Sequence, residues 1–207
     1  MTSIQKVRSI SVWIFIIPFF SVNICLYTIT HIHSILEPGI PINPTFPYLD
    51  GGVSISRTVR NFPMYLLFKP AMFITSYFLI RYWLYTKDII NSVNRDYKDT
   101  KKIIFFGVGS AILLSIHAIF LGVKFEYDIY KLFRRVVMLS FIIFELIAQA
   151  YLIKFLYNAK KDLKNYINII YLKIKRVLIT ILIIVSIIAL PFLPFDNFKF
   201  LKHALEW

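Results

Sequence analysis

Glu145 and Gln149 stand four residues apart in the apolar run VVMLSFIIFELIAQAYLIKFL, so a helix places both on one face. An ionised side chain at the centre of a bilayer costs about 2.5–3.5 kcal/mol on insertion scales, so it needs a partner or a purpose. Two further polar groups interrupt apolar runs: Lys69, followed by Pro70, and His117 in LLSIHAIFLG. A Lys69–Glu145 pair would offset both charges. Together the four could form an intramembrane pocket for a lipid headgroup or a proton. The same residues also serve as polar glue between helices in many bundles, and spacing alone leaves both roles open.

A second set lies in NPTFPYLDGGVSISRTVRN, residues 43–61. Tyr48, Asp50, Arg57 and Arg60 are candidates for a headgroup site, with the arginines meeting phosphate. Local chemistry explains much of the rest. Asp50 can accept from the amides that follow, Gly51 and Gly52 permit positive φ, and Ser54 or Ser56 can cap a new helix. Pro38, Pro41, Pro44 and Pro47 recur with the period of an extended polyproline strap. His31, His33 and His203 are weak metal candidates, joined by Asp50 and Glu206. In a helix, however, residues two apart point roughly 200° apart, so His31 and His33 would not face one ion. No metal and no cofactor is expected. Walker, HExxH, GxSxG and CxxC patterns do not occur.

Helices must position these groups. The chain of 207 residues is 58% hydrophobic, with mean hydropathy +0.67. Five apolar runs approach or exceed the roughly 17–25 residues that cross a hydrocarbon core. They cover about 12–30, 62–84, 103–123, 136–156 and 177–193, with an outer loop at 31–61. The expected fold is all-α, a single polytopic transmembrane bundle of five spans. The first run is longer than a signal-peptide core and lacks a small-residue cleavage site after it, so it reads as a retained helix. Trp13, Trp83, Tyr82 and Tyr85 fall near run ends, where interface anchors belong. The single cysteine, Cys25, cannot form an intrachain disulfide.

The net charge of +13 lies in the segments between runs. Lys and Arg number fifteen in the N-terminus and the second and fourth loops, against eight in the first and third loops and the tail. The positive-inside rule then makes the N-terminus cytoplasmic. Basic flanks of this kind attract anionic lipid, so no nucleic acid is expected as a partner. The lysine- and tyrosine-rich fourth loop fits either an interfacial helix or an extension of a neighbouring span.

The segment INPTFPYLDGGVSISRTVRNFPMYLLFKPAMFITSYFLIRYWLYTK resembles the first loop and second helix of the Frag/DRAM/Sfk family of multi-pass membrane proteins. Asn43, Pro44, Pro47, Tyr48, Asp50 and Gly52 carry the likeness. Glu206 and Trp207 in HALEW resemble the pair that opens that family's last helix, and Gln149 resembles a glutamine of its fourth. The family normally has six helices; here the resemblance covers five spans and the start of a sixth. It departs from the family where Leu49 precedes Asp50 and where SIS with Arg57 follows the glycines. The resemblance implies a non-catalytic role in lipid handling, membrane organisation or trafficking, like that of GPI-anchor lipid remodelling factors and autophagy modulators. Alternatives are a membrane lipid hydrolase or acyl-transfer enzyme with its site at the outer interface, and a small transporter subunit. Expected partners are membrane lipids, anionic ones foremost, and a membrane protein or a second copy. The expected location is a bacterial inner membrane or a eukaryotic endomembrane or plasma membrane.

Overall fold

The computed structural model describes residues 2–32, 46–60, 62–121 and 127–189. They form helices, turns and connecting segments, with no strand among them. The elements are α1 (Ser3–Tyr27), a π-helical turn (Thr28–Ile32), α2 (Pro47–Asp50), α3 (Ile55–Val59), α4 (Met64–Val93), α5 (Thr100–Phe120), α6 (Asp128–Asn158) and α7 (Ile169–Ala189). Each expected apolar run lies largely within one long helix.

Helix ends follow local chemistry. Thr2 and Gln5 form a capping box: Thr2 Oγ1 accepts from Gln5 N, and Gln5 Oε1 accepts from Thr2 N at 3.0 Å. Gly51 closes α2 in the left-handed region at φ 56°, where a Cβ would be strained. Ser54 caps α3 by accepting from Arg57 N. Lys173, Lys175 and Arg176 lie in the first turns of α7, so the basic end of the fourth loop extends the last helix rather than forming a separate one. The polyproline strap falls mostly outside the described residues.

Long helices alternate in direction and pack in chain order: α1 on α4, α4 on α5, α5 on α6, and α7 chiefly on α6. Two buried clusters mark the two ends. One joins Cys25, Ile29, Val59, Met64, Phe68 and Leu121, beneath the 46–60 segment. The other joins Ile90, Ile103, Phe155 and Leu163, with Ile4 and Val7 packed against it. The N-terminus, the turn after α4 and the connection after α6 therefore share one end. At that end Lys154 donates to Asp99 at 2.9 Å, which holds the Asp99 carboxyl below the usual carboxylate range.

Close contact between α4 and α5 depends on small residues. The face of α5 toward the core carries Gly107, Ser110, Ala111 and Ala118. The Trp83 ring lies against Gly107, where an added Cβ would stand 2.2 Å from a ring atom. Ser76 donates to the Ala111 carbonyl at 2.6 Å. Trp83 is fully buried, which corrects its expected place as an interface anchor. The reason is length: α4 continues ten residues past Trp83, so that position is interior.

The outer surface is strongly apolar. Phe15, Phe20, Tyr77, Phe105, Leu178 and Ile187 are all exposed. Among the described residues, three helices are long and apolar enough to cross a membrane: Ser3–His31, Thr100–Phe120 and Leu132–Asn158. Such a surface suits hydrocarbon as solvent rather than water. Helix α4 is long enough too, but Lys69, Thr75, Ser76 and Arg81 make it more polar. In α7 the basic first turns leave a short apolar run before the described residues end.

Candidate functional site

Midway through the bundle, Glu145 on α6 is surrounded by donors. Ser110 Oγ donates to its Oε2 at 2.7 Å and Trp83 Nε1 to the same oxygen at 3.3 Å. Gln149 Nε2 donates to Oε1 at 2.8 Å. Three helices thus meet at one carboxyl group. The expected sharing of a face by Glu145 and Gln149 holds, and the Gln149 oxygen has no partner among the described residues.

The expected Lys69–Glu145 pair does not form. Lys69 Nζ donates to the Ile119 carbonyl at 3.2 Å and lies over the Tyr65 ring. Trp83 touches Glu145, and fourteen residues of helix separate Trp83 from Lys69, about 21 Å at 1.5 Å per residue. That distance is far beyond the reach of a lysine. His117 Nδ1 is buried with no hydrogen-bond partner among the described residues.

The segment over the far end of the bundle is tied down at several points. Asp50 accepts from Phe46 N at 2.9 Å through Oδ2 and from Gly52 N at 2.8 Å through Oδ1, so its carboxylate fixes the turn. Tyr48 and Asn23 exchange two hydrogen bonds, at 2.9 and 3.0 Å, joining α2 to α1. Replacing Tyr48 by Phe removes both and is expected to cost about 1 kcal/mol. The result should be faster amide exchange across 46–60 with little change in global melting.

The same end gathers positive charge. Arg60 Nη2 donates to Ser56 Oγ at 3.3 Å, and Arg134 Nη2 donates to the same oxygen at 2.9 Å. Arg134 Nε is buried and has no partner among the described residues. Two guanidinium groups therefore converge on one neutral hydroxyl, and neither is paired with a carboxylate among the described residues. Arg57 is exposed on the same short helix.

The weak metal candidates are not gathered by the described residues. His31 Nδ1 lies 2.7 Å from Thr30 Oγ1, and its ring stacks on Tyr27. His33, Asn43, Pro44, His203, Glu206 and Trp207 lie outside the described residues. Sequence reasoning missed Asn23, Ser110 and Arg134, and it read Ser56 only as a possible cap rather than as the acceptor of two arginines. Asn23 carried a signal, as an amide within an apolar run. Arg134 was visible only as one basic residue in a flank, because its partner is 78 residues away.

Comparison of the chain with known protein families, with curated proteins and with solved structures finds no match. The arrangement defines an all-helical bundle whose apolar helices are compatible with a membrane protein. It has a buried carboxyl network at its middle and a basic cluster under one end segment.

Proposed function

We propose that this is a five-span membrane protein that binds the headgroup of an anionic lipid at the end covered by residues 46–60. In this reading that end faces outward and the N-terminus is cytoplasmic, as the fifteen-to-eight distribution of Lys and Arg favours. One observation carries the proposal: Arg60 and Arg134 converge on Ser56, with Arg134 Nε buried and unmet. Like charges that no carboxylate of the described residues meets favour an anion, and guanidinium groups suit phosphate. Arg57 and Lys69 lie at the same end and extend the positive surface. Tyr48 and Asp50 hold the segment in place rather than touching the ligand.

The protein acts by holding lipid rather than by turning it over. Of its candidate carboxylates, the two among the described residues, Asp50 and Glu145, are each committed to structural donors. A role in lipid handling or membrane organisation follows, as the likeness to the Frag/DRAM/Sfk family implies.

The test is native mass spectrometry of the full chain in mild detergent, supplied with equal amounts of phosphatidylglycerol and phosphatidylcholine. Phosphatidylglycerol should be retained preferentially. Arg60→Gln/Arg134→Gln should weaken that retention about thirtyfold, since each of the two basic residues near a lipid surface contributes about 1 kcal/mol. Equal retention of the two lipids, or retention untouched by the double variant in a folded protein, would sink the proposal.

A further inference from the structure

At the opposite end of the bundle, a cavity of about 480 Å³ lies between the first turns of α1, the last turn of α6 and the start of α7. Here α1 packs on α4 while α7 packs chiefly on α6, so no helix of the described residues fills the wedge between α1 and α7. Asn165, Tyr166, Ile167 and Asn168, in the connection before α7, line it as well. Its volume falls within the roughly 300–1,000 Å³ typical of small-ligand sites.

The lining combines two chemistries. Ile4, Leu156 and Leu172 give it apolar walls, and Ile169, Ile170 and Ile174 at the start of α7 are exposed beside it. Arg8, from α1, and Lys175, from α7, bring two cations to it. Neither side chain hydrogen-bonds or forms an ion pair with a carboxylate among the described residues. Glu145 is the carboxylate within electrostatic reach of Lys175; its donors Ser110, Trp83 and Gln149 are neutral and leave that charge in place, while Arg8 adds a second cation that no carboxylate of the described residues pairs. Among the described residues, no aspartate or glutamate lines the cavity. Tyr166 and Tyr171 stand exposed at its rim, where tyrosines of a membrane interface belong.

We infer that this cavity binds the phosphate of an anionic phospholipid, entering from the leaflet on the N-terminal side with its acyl chains against α7. Two cations on different helices, an apolar wall open toward lipid and the lack of an acidic lining residue fit that occupant. A soluble phosphate compound would leave the apolar walls unused. The site shares the membrane reading with the outward cluster but none of its residues, so each can fail alone.

Wild-type protein in nanodiscs is first irradiated with a phosphatidylglycerol bearing a diazirine near the headgroup, and labelled peptides are mapped. Label should appear on peptides containing Ile4–Arg8 and Tyr166–Lys175. Arg8→Gln/Lys175→Gln should then lower that labelling about thirtyfold and leave labelling near Arg60 and Arg134 unchanged. Arg8→Lys/Lys175→Arg, which keeps both charges, should restore it even if the neutral variant folds poorly. Label absent from these peptides in the wild type overturns the inference. So does equal labelling by a phosphatidylcholine probe, or loss of label on adding inorganic phosphate at fixed ionic strength, which would mark a site for a soluble anion. Loss of label near Arg60 and Arg134 alone would fault the outward site and leave this one standing.

Discussion

Trp83→Ala should be the most damaging single substitution in this protein, at about 3–5 kcal/mol, the usual range for removing a buried large aromatic. The indole is fully buried, fills the space above Gly107 and donates to Glu145. Its removal opens a cavity between α4 and α5 and takes one donor from the carboxyl network. Gly107→Ala should cost about 1–3 kcal/mol by overpacking, because the new Cβ would stand 2.2 Å from a ring atom. The two changes are coupled through one contact, so they should not add. In the Trp83→Ala background the methyl group meets empty space, and Gly107→Ala should become neutral or stabilising by up to about 1 kcal/mol, the ordinary helix preference for Ala over Gly. Unfolding of the purified protein in mixed detergent and denaturing micelles, followed for all four proteins of the cycle, checks this. Additive costs would mean that the α4–α5 contact is not the one described.

Glu145→Ala carries the second largest expected effect. It leaves the Trp83 N–H and the Gln149 amide without their shared acceptor, while the Ser110 hydroxyl can turn to the Gly107 carbonyl at 2.8 Å. Each orphaned buried donor costs about 1–3 kcal/mol. Some of that is recovered by relaxation, and roughly 2–4 kcal/mol is the expected loss. Glu145→Gln keeps one acceptor oxygen and most of the shape, so it should cost clearly less, about 1 kcal/mol. This order separates a structural acceptor from a working charge. If Glu145 held a proton or a cation for function, Gln would abolish the function while leaving the melting behaviour near wild type. If it is the hub of a network, stability should track the number of donors left unmet. The same unfolding assay ranks the two variants, and Ser110→Ala should fall close to Glu145→Gln because it removes one bond of the set.

These two sites show which features were legible in one dimension. The apolar runs, the turn fixed by Asp50 and Gly51, and the cap at Ser54 follow from side-chain transfer energies and backbone preferences. Those act over a few residues, so a short window of sequence contains their cause. The shared face of Glu145 and Gln149 follows in the same way from the helical repeat. Pairing across helices does not. Whether Lys69 meets Glu145 depends on depth along α4, and the structure places the two levels well apart. Trp83 resembled an interface residue because the apolar run ended near it, yet the helix runs on and buries it. Ser56 receives Arg60 from its own helix and Arg134 from α6. The sequence by itself determined the kind of solvent these helices suit and where the chain turns. Only the tertiary structure decided which polar groups meet, because azimuth and depth are set by how small residues such as Gly107 let the helices close on one another.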